Sequence, residues 1–531
     1  MSFKAIAAAL ALIMTALPVT AQVSSEGMGE LDAWGSRYLE TGEKEFPPRL
    51  WSGSDDEVLL SLMKSVRTAR LTPAERKLLR RVILSPTRKP TGKSAEALLT
   101  ERARLMLELG EARAAAALAP RLKKGARGLD AETIAVDLDM ASGREASACA
   151  RLSGPVPEGQ YWLKLRAVCA VLQENYSGAE LAVEFATTQG LHDAWFIEAI
   201  FAASGDVPNP PFARFDSGLN IALSSKAKLD TSRVTLASSR PDLAAAAASR
   251  PGVPTELRAR FAQIAGEIDL ISPQSRRQIL SKRLNEPDYR ASSGIEQALQ
   301  TMLDPAATVP QKAQRLNTVL SSLSRGELSR YASTARLFLP DLQRLPRVRE
   351  TAPYALSFAR ASLAAGDGNL ARHWLGVSQY DGIEPPDPFS AAMIEALDMI
   401  SSERTSPAAQ RAIQKRLLGA AQSSTEKQAA ADMLTVWTGF GLTLNIDARA
   451  LLIEQRSRKT RIDPYTLLAI DAAARSGAIG ETALMVLAQT KGAPQKLASA
   501  DLAALIAALR IINADDVATG LALEASSFWK Q

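Results

Sequence analysis

The stretch LMLELGEARAAAALAPRL (Leu105–Leu122) starts as a leucine-rich helix, breaks at Gly110-Glu111 and resumes as a run of alanines. The same break recurs. Gly143 stands between Leu138/Met140 and Ala146/Ala148, Asn175 stands between Leu172 and Ala179/Ala182, and Gly205 follows another apolar helix. The steps between these positions are 33, 32 and 30 residues. Later turns at Gly326, Gly366, Glu403, Phe440, Gly477 and Ala514 are spaced by 40 and then by 37 residues. Each unit follows one physical logic. Gly or Asn takes the left-handed conformation that closes a first helix, and small residues beyond the turn let a second helix lie close against it. One such hairpin cannot bury its apolar face alone, so neighbours stack. The pattern predicts an all-α chain, an α-solenoid or superhelix of stacked antiparallel helical hairpins with a period of about 30–40 residues.

Composition agrees with that reading. Apolar residues make up 46% of the 531 positions and aromatics only 5%. Alanine and leucine suit closely packed helices, whereas a sheet favours β-branched and aromatic residues. The chain is too long for one compact core. Proline-rich interruptions at Gly205–Phe212, Ser249–Pro254 and Gly382–Pro388 cannot continue a helix. The expected organisation is a signal peptide (1–21), then a partly disordered N-terminal segment with short helices and a basic linker (22–93). A first repeat block (94–212), an irregular helical middle (213–320) and a second repeat block (321–531) follow.

The pattern L-x-x-G-(D/E)-x-x-x-A stands in Leu107–Ala115 and again around Gly366. On those residues the units resemble the tetratricopeptide-like superfamily of helical repeats, without its early Trp and closing Pro in most units. The arrangement is also similar to the superhelical, non-catalytic part of soluble lytic transglycosylases. The resemblance implies a surface that binds a partner rather than a catalytic centre.

The N-terminus carries an address. Lys4 precedes an apolar run, Ala5–Leu17, and the small residues Val19 and Ala21 precede Gln22. This is the pattern of a cleavable secretory signal with cleavage after Ala21. The run is too short to span a bilayer, which takes about 20 residues, and no later segment is long and charge-free enough. The expected location is the periplasm of a Gram-negative cell. There a lone cysteine pair, Cys149 and Cys169, reads as a structural disulfide.

Motifs for chemistry are sparse. Ser-x-x-Lys occurs at Ser61–Lys64, Ser225–Lys228 and Ser424–Lys427, but no Lys-Thr-Gly strand accompanies it. There is no Gly-x-Ser-x-Gly elbow, phosphate-binding loop or His-Glu-x-x-His, and His192 and His373 are the only histidines. Nothing points to a cofactor or a metal site. The net charge of +6 over so long a chain is a mild bias and does not indicate nucleic acid. Two surface features stand out. Arg76, Lys77, Arg80 and Arg81 open a basic run that extends through Arg88, Lys89 and Lys93, either a basic helix end with a flexible linker or a patch for anionic envelope polymers or lipid headgroups. Tyr161, Trp162, Trp195 and Phe196 sit in adjacent repeats, either as core or lining a groove for peptide or glycan. The expected function is a non-catalytic scaffold or adaptor binding an envelope protein or peptidoglycan-like polysaccharide. The competing expectation is an enzyme of cell-wall metabolism, or its regulatory subunit, with an unrecognised site.

Overall fold

The computed structural model describes residues 33–122, 129–154, 158–205, 207–235, 240–324, 327–377, 387–401, 406–457 and 459–528. These form 26 α-helices, from Asp56–Ser65 to Asp515–Ser526, joined by turns and short 3₁₀ segments. Among the described residues there is no strand; one parallel bridge, Thr460 to Leu497, is the sole sheet-like pairing. The signal-like segment with Ala21 and Gln22, the turns at Gly326 and Glu403, and most of Gly382–Pro388 lie outside the described residues.

The hairpin unit is as the sequence predicts. The Ala95–Leu109 helix ends at Gly110, whose φ of +89° few L side chains adopt. The Gly110 N–H reaches Leu107 O at 3.0 Å and the Glu111 N–H reaches Met106 O at 2.8 Å, a closed C-terminal cap. The Ala112–Leu118 helix then returns with Ala112 and Ala115 buried against the first. The third unit differs in detail. Glu174, not Asn175, holds the positive φ, while Asn175 Oδ1 accepts the Gly178 N–H at 3.0 Å and caps the next helix. An Asn side chain is a strong N-cap acceptor, and that use wins here. Packed pairs of this kind include Gln160–Leu172 with Tyr176–Thr188 and Ala355–Ala364 with Gly368–Val377. The middle also builds hairpins, such as Pro241–Ser249 on Thr255–Glu267.

The N-terminal segment departs from expectation. Over residues 33–93 the short helices expected there are joined by segments that pack into the core: Trp34, Phe46, Leu50 and Trp51 are buried, as are Ser85 and Thr87 of the expected linker. Arg102, fully buried, donates to Ile83 O (2.7 Å) and Ser85 O (2.8 Å) at the C-terminus of the Pro73–Leu84 helix. A cation there answers the unpaired carbonyls and the negative end of the helix dipole. Weak local periodicity hid this segment because its order comes from distant partners.

Those partners are the last helices of the chain. The Asp56–Ser65 helix packs on both Ala95–Leu109 and Ile479–Thr490; Pro73–Leu84 packs on Ala95–Leu109, Ile479–Thr490 and Asp515–Ser526. Gly480 donates its N–H to Leu50 O at 2.9 Å, and a Cβ at Gly480 would stand 2.6 Å from Trp51 Cε3. The first helices and the last helices therefore share one apolar core.

Candidate functional site

The basic run of the Pro73–Leu84 helix sits at this junction, and most of its charge is spent there. Lys77 Nζ pairs with Asp516 Oδ2 at 2.6 Å, and Arg80 bridges Glu43 and Glu111. Arg81 donates to Asn513 O and Glu45 O, both at 3.2 Å, and its guanidinium lies 4.1 Å from the Phe46 ring centre. In place of a free basic patch, Lys77 and Arg81 tie the Pro73–Leu84 helix to the last helix and the turn before it, while Arg80 ties it to residues 43 and 111 of the first part of the chain. The cations cluster in sequence, while their acids come from residues 43, 111 and 516 and leave no sequence signature. Arg88, Lys89 and Lys93 remain exposed beyond the helix.

Behind the clamp lies a recess of about 670 Å³. Its walls come from the Pro73–Leu84 helix, the turns at Gly110, Asp269 and Gly366, the start of the Leu328–Arg344 helix and the last helix. Turns from well-separated hairpins thus converge on one space. Leu109, Leu270, Leu363 and Leu523 give it an apolar side, and Arg336 pairs with Asp269 at 2.6 Å on its wall. Arg76 borders it too; burial holds its guanidinium below the usual arginine range, against the opposing charge of Asp269.

Glu524 is the most perturbed acid on this wall. It is 4% exposed, and its Oε1 accepts the Ala74 N–H at 2.7 Å. Burial pushes its carboxyl up to about 8, with the charge of Glu75 adding to the effect and the Thr72 side chain and Ala74 N–H opposing it. Burial thus favours its protonated form. Sequence reading missed this residue because an acid on an alanine-rich helix is ordinarily a solvated one.

No protein-family model, curated protein or solved structure matches the chain. Its site must be read from its own geometry.

The aromatic candidates resolve toward the core. Trp162 and Phe196 are buried, which removes them from any open groove; Trp195 is 8% exposed and donates Nε1–H to Phe212 O at 2.7 Å. Tyr161, half-buried, meets Trp162 edge-on and donates its hydroxyl to Thr133 O at 3.3 Å. Burial first, then the nearby Asp137 charge, raises the Tyr161 hydroxyl far above its ordinary range. Asp137 itself is structural: Oδ1 accepts the Gly218 N–H (2.7 Å) at the start of one helix, and Oδ2 meets Arg240 at 3.0 Å. Cys149 and Cys169 are joined as a disulfide, with Cα atoms 5.7 Å apart, tying the second hairpin to the third.

Among the described residues, no three His, Cys, Asp or Glu side chains gather as metal ligands, and no helix is long and apolar enough to cross a membrane. His192 and His373 are both exposed on the surface.

Proposed function

We propose that this chain is an exported, non-catalytic scaffold of the Gram-negative cell envelope, a distant tetratricopeptide-like protein that holds an envelope protein or glycan. The observation that carries the reading is the closure. Helical hairpins pack on one another and the Pro73–Leu84 helix packs on both the Ala95–Leu109 helix and the last helix, which supports a molecule that presents fixed surfaces from many helices at once. Rigid presentation of a broad surface is what repeat proteins contribute to binding. The Cys149–Cys169 bridge suits an oxidising compartment, in line with the signal pattern before Gln22.

Fractionation followed by crosslinking tests this. The expected result is a mature N-terminus at Gln22, recovery in the periplasmic fraction and one defined crosslinked envelope partner. Incubation with purified peptidoglycan should release no soluble fragments. Release of fragments by the purified chain would replace the scaffold with the cell-wall enzyme reading, and a chain retained in the cytoplasm with residues 1–21 intact would end the export reading.

A further inference from the structure

Four of the five most exposed large apolar side chains among the described residues stand on two consecutive helices. Ile446 (72%) and Ile453 (86%) are on Ile446–Glu454, and Tyr465 and Leu468 are on Pro464–Ser476. Scattered exposed apolar residues need no explanation, but a concentration of them marks an interaction surface. The Ile446–Glu454 helix has two faces. Ala448 and Leu451 are buried on the side where it packs against Pro407–Ala420 and Ser424–Gly439. Ile446, Arg449, Ala450 and Ile453, spaced as one helical stripe, are exposed on the other. In heptad terms Ile446 and Ile453 take d and Ala450 takes a, with Arg449 at g and Asp447 and Glu454 at e. The apolar seam thus has acids along one flank and a base along the other. All three charges are exposed, and among the described residues none makes an ion pair. Other charges nearby are spent: Lys459 with Asp432 at 2.9 Å, Arg461 with Asp501 at 3.2 Å, and Arg475 with Asp471 at 2.8 Å on the next helix. Arg456 is exposed just past the end of the first helix.

We propose that this seam is a self-association surface, on which a second copy of the chain lays its own Ile446–Glu454 helix in parallel about a two-fold axis. The flanks select both the occupant and the direction. A two-fold axis along the helix sets the acid flank of each copy against the base flank of the other, so Arg449 of each meets Glu454 of the other. Ile446, Ala450 and Ile453 then meet their own counterparts across the axis. An antiparallel pair would instead set Arg449 against Arg449 and Glu454 against Glu454. An anionic lipid surface would attract Arg449 but repel Asp447 and Glu454 beside the same isoleucines. The seam therefore fits a copy of itself better than a membrane. A helix of 9 residues offers a small contact, so the association belongs to the weak, concentration-dependent class.

This surface goes beyond the scaffold reading, which a monomeric chain would leave intact. The test is sedimentation equilibrium of the purified chain from about 1 μM to about 300 μM. The expected result is a reversible rise in mass toward two copies. Ile453→Asp should weaken the association at least about tenfold. Leu181→Asp, at a comparably exposed position of the Tyr176–Thr188 helix, should leave it unchanged. Arg449→Glu and Glu454→Arg should each weaken it at least about fivefold, because each sets like charges across the parallel seam. An equimolar mixture of those two variants should recover the parental association as a mixed dimer. Each variant is first checked for a parental circular dichroism spectrum and melting midpoint. If Ile453→Asp fails to fold, the two charge reversals and their mixture decide. A parent that stays monomeric throughout, association undiminished by folded Ile453→Asp, or single charge reversals that associate as the parent does would each overturn the proposal. So would a monomeric parent that co-sediments with phosphatidylglycerol vesicles and loses that binding in Ile453→Asp, which would give the seam to a lipid surface.

Discussion

Glu524 Oε1 accepts the backbone N–H of Ala74 at 2.7 Å, joining residues 450 positions apart in the chain. The bond satisfies an N–H in the first turn of the Pro73–Leu84 helix, where helices lack internal acceptors. A buried acid does this instead of a capping side chain because the last helix lies across that end. The Glu75 carboxylate makes a second tie of the same kind, accepting the Gly492 N–H at 2.9 Å.

The raised Glu524 carboxyl predicts a pH dependence. Below the ordinary glutamate value of 4.5 both folded and unfolded states hold the proton, and Glu524 contributes no pH slope. Between 4.5 and about 8 the unfolded chain releases it and the folded chain does not. Glu524 therefore lowers stability as pH rises through that window, by about 1.4 kcal/mol per unit, and its effect levels off above it. Glu75 and Asp516 flank the site and Arg76 borders the same recess, so the comparison is made within one background. Glu524→Gln should gain in urea midpoint relative to the parent as pH rises from about 5 to about 8. A constant or shrinking difference would contradict the assignment.

Gly480 predicts a packing effect at the closure. A Cβ there would meet Trp51 Cε3 at 2.6 Å and Leu50 O at 2.9 Å, one of them backbone. Gly480→Ala should cost about 1–3 kcal/mol, read as a lower urea midpoint. Gly376→Ala, on an open helix face with nothing within 4 Å, should instead be neutral or gain up to about 1 kcal/mol. Equal effects at the two positions would count against the tight Trp51 contact.

Gly218 predicts a larger loss in the first half. A Cβ at that position would stand 1.7 Å from Asp137 O, inside the site where Asp137 caps the helix and meets Arg240. Gly218→Ala should cost more than about 3 kcal/mol or prevent folding, because the obstacle is backbone and the acid beneath it is buried. A parental melting midpoint for Gly218→Ala would refute the geometry of that cap.

Reduction of Cys149–Cys169 should lower stability by about 3 kcal/mol, the loop-closure value for a short loop. Denaturant midpoints with and without reductant measure it. The unreduced, unfolded chain should show no reactive thiol, and two free thiols would exclude the bridge.

Local structure was largely legible in the sequence. Gly110 and Gly366 closed helices where the period placed them, alanines at 112 and 115 docked the return helix, and the cysteine pair bonded as its isolation implied. What escaped was information carried by pairs far apart. The basic run looked free because Glu43, Glu111 and Asp516 are scattered along the chain. Trp51 and Leu50 gave no period because their partner is Gly480. One signal was present and unread: Gly480 and Gly520 stand inside helices, where glycine is costly and marks a close approach.

The closure of the first helices on the last is the central claim, and a crosslink tests it directly. A Cβ built at Gly520 would lie 3.0 Å from Ala74 Cβ, inside the roughly 3.5–4.5 Å that a disulfide takes, so a shift of about half an ångström apart brings the pair into bonding range. The chain carrying Ala74→Cys and Gly520→Cys, oxidised in dilute solution and digested without reduction, should yield one peptide pair joined through positions 74 and 520. A folded, monomeric protein in which both of those thiols stay free would contradict the closure.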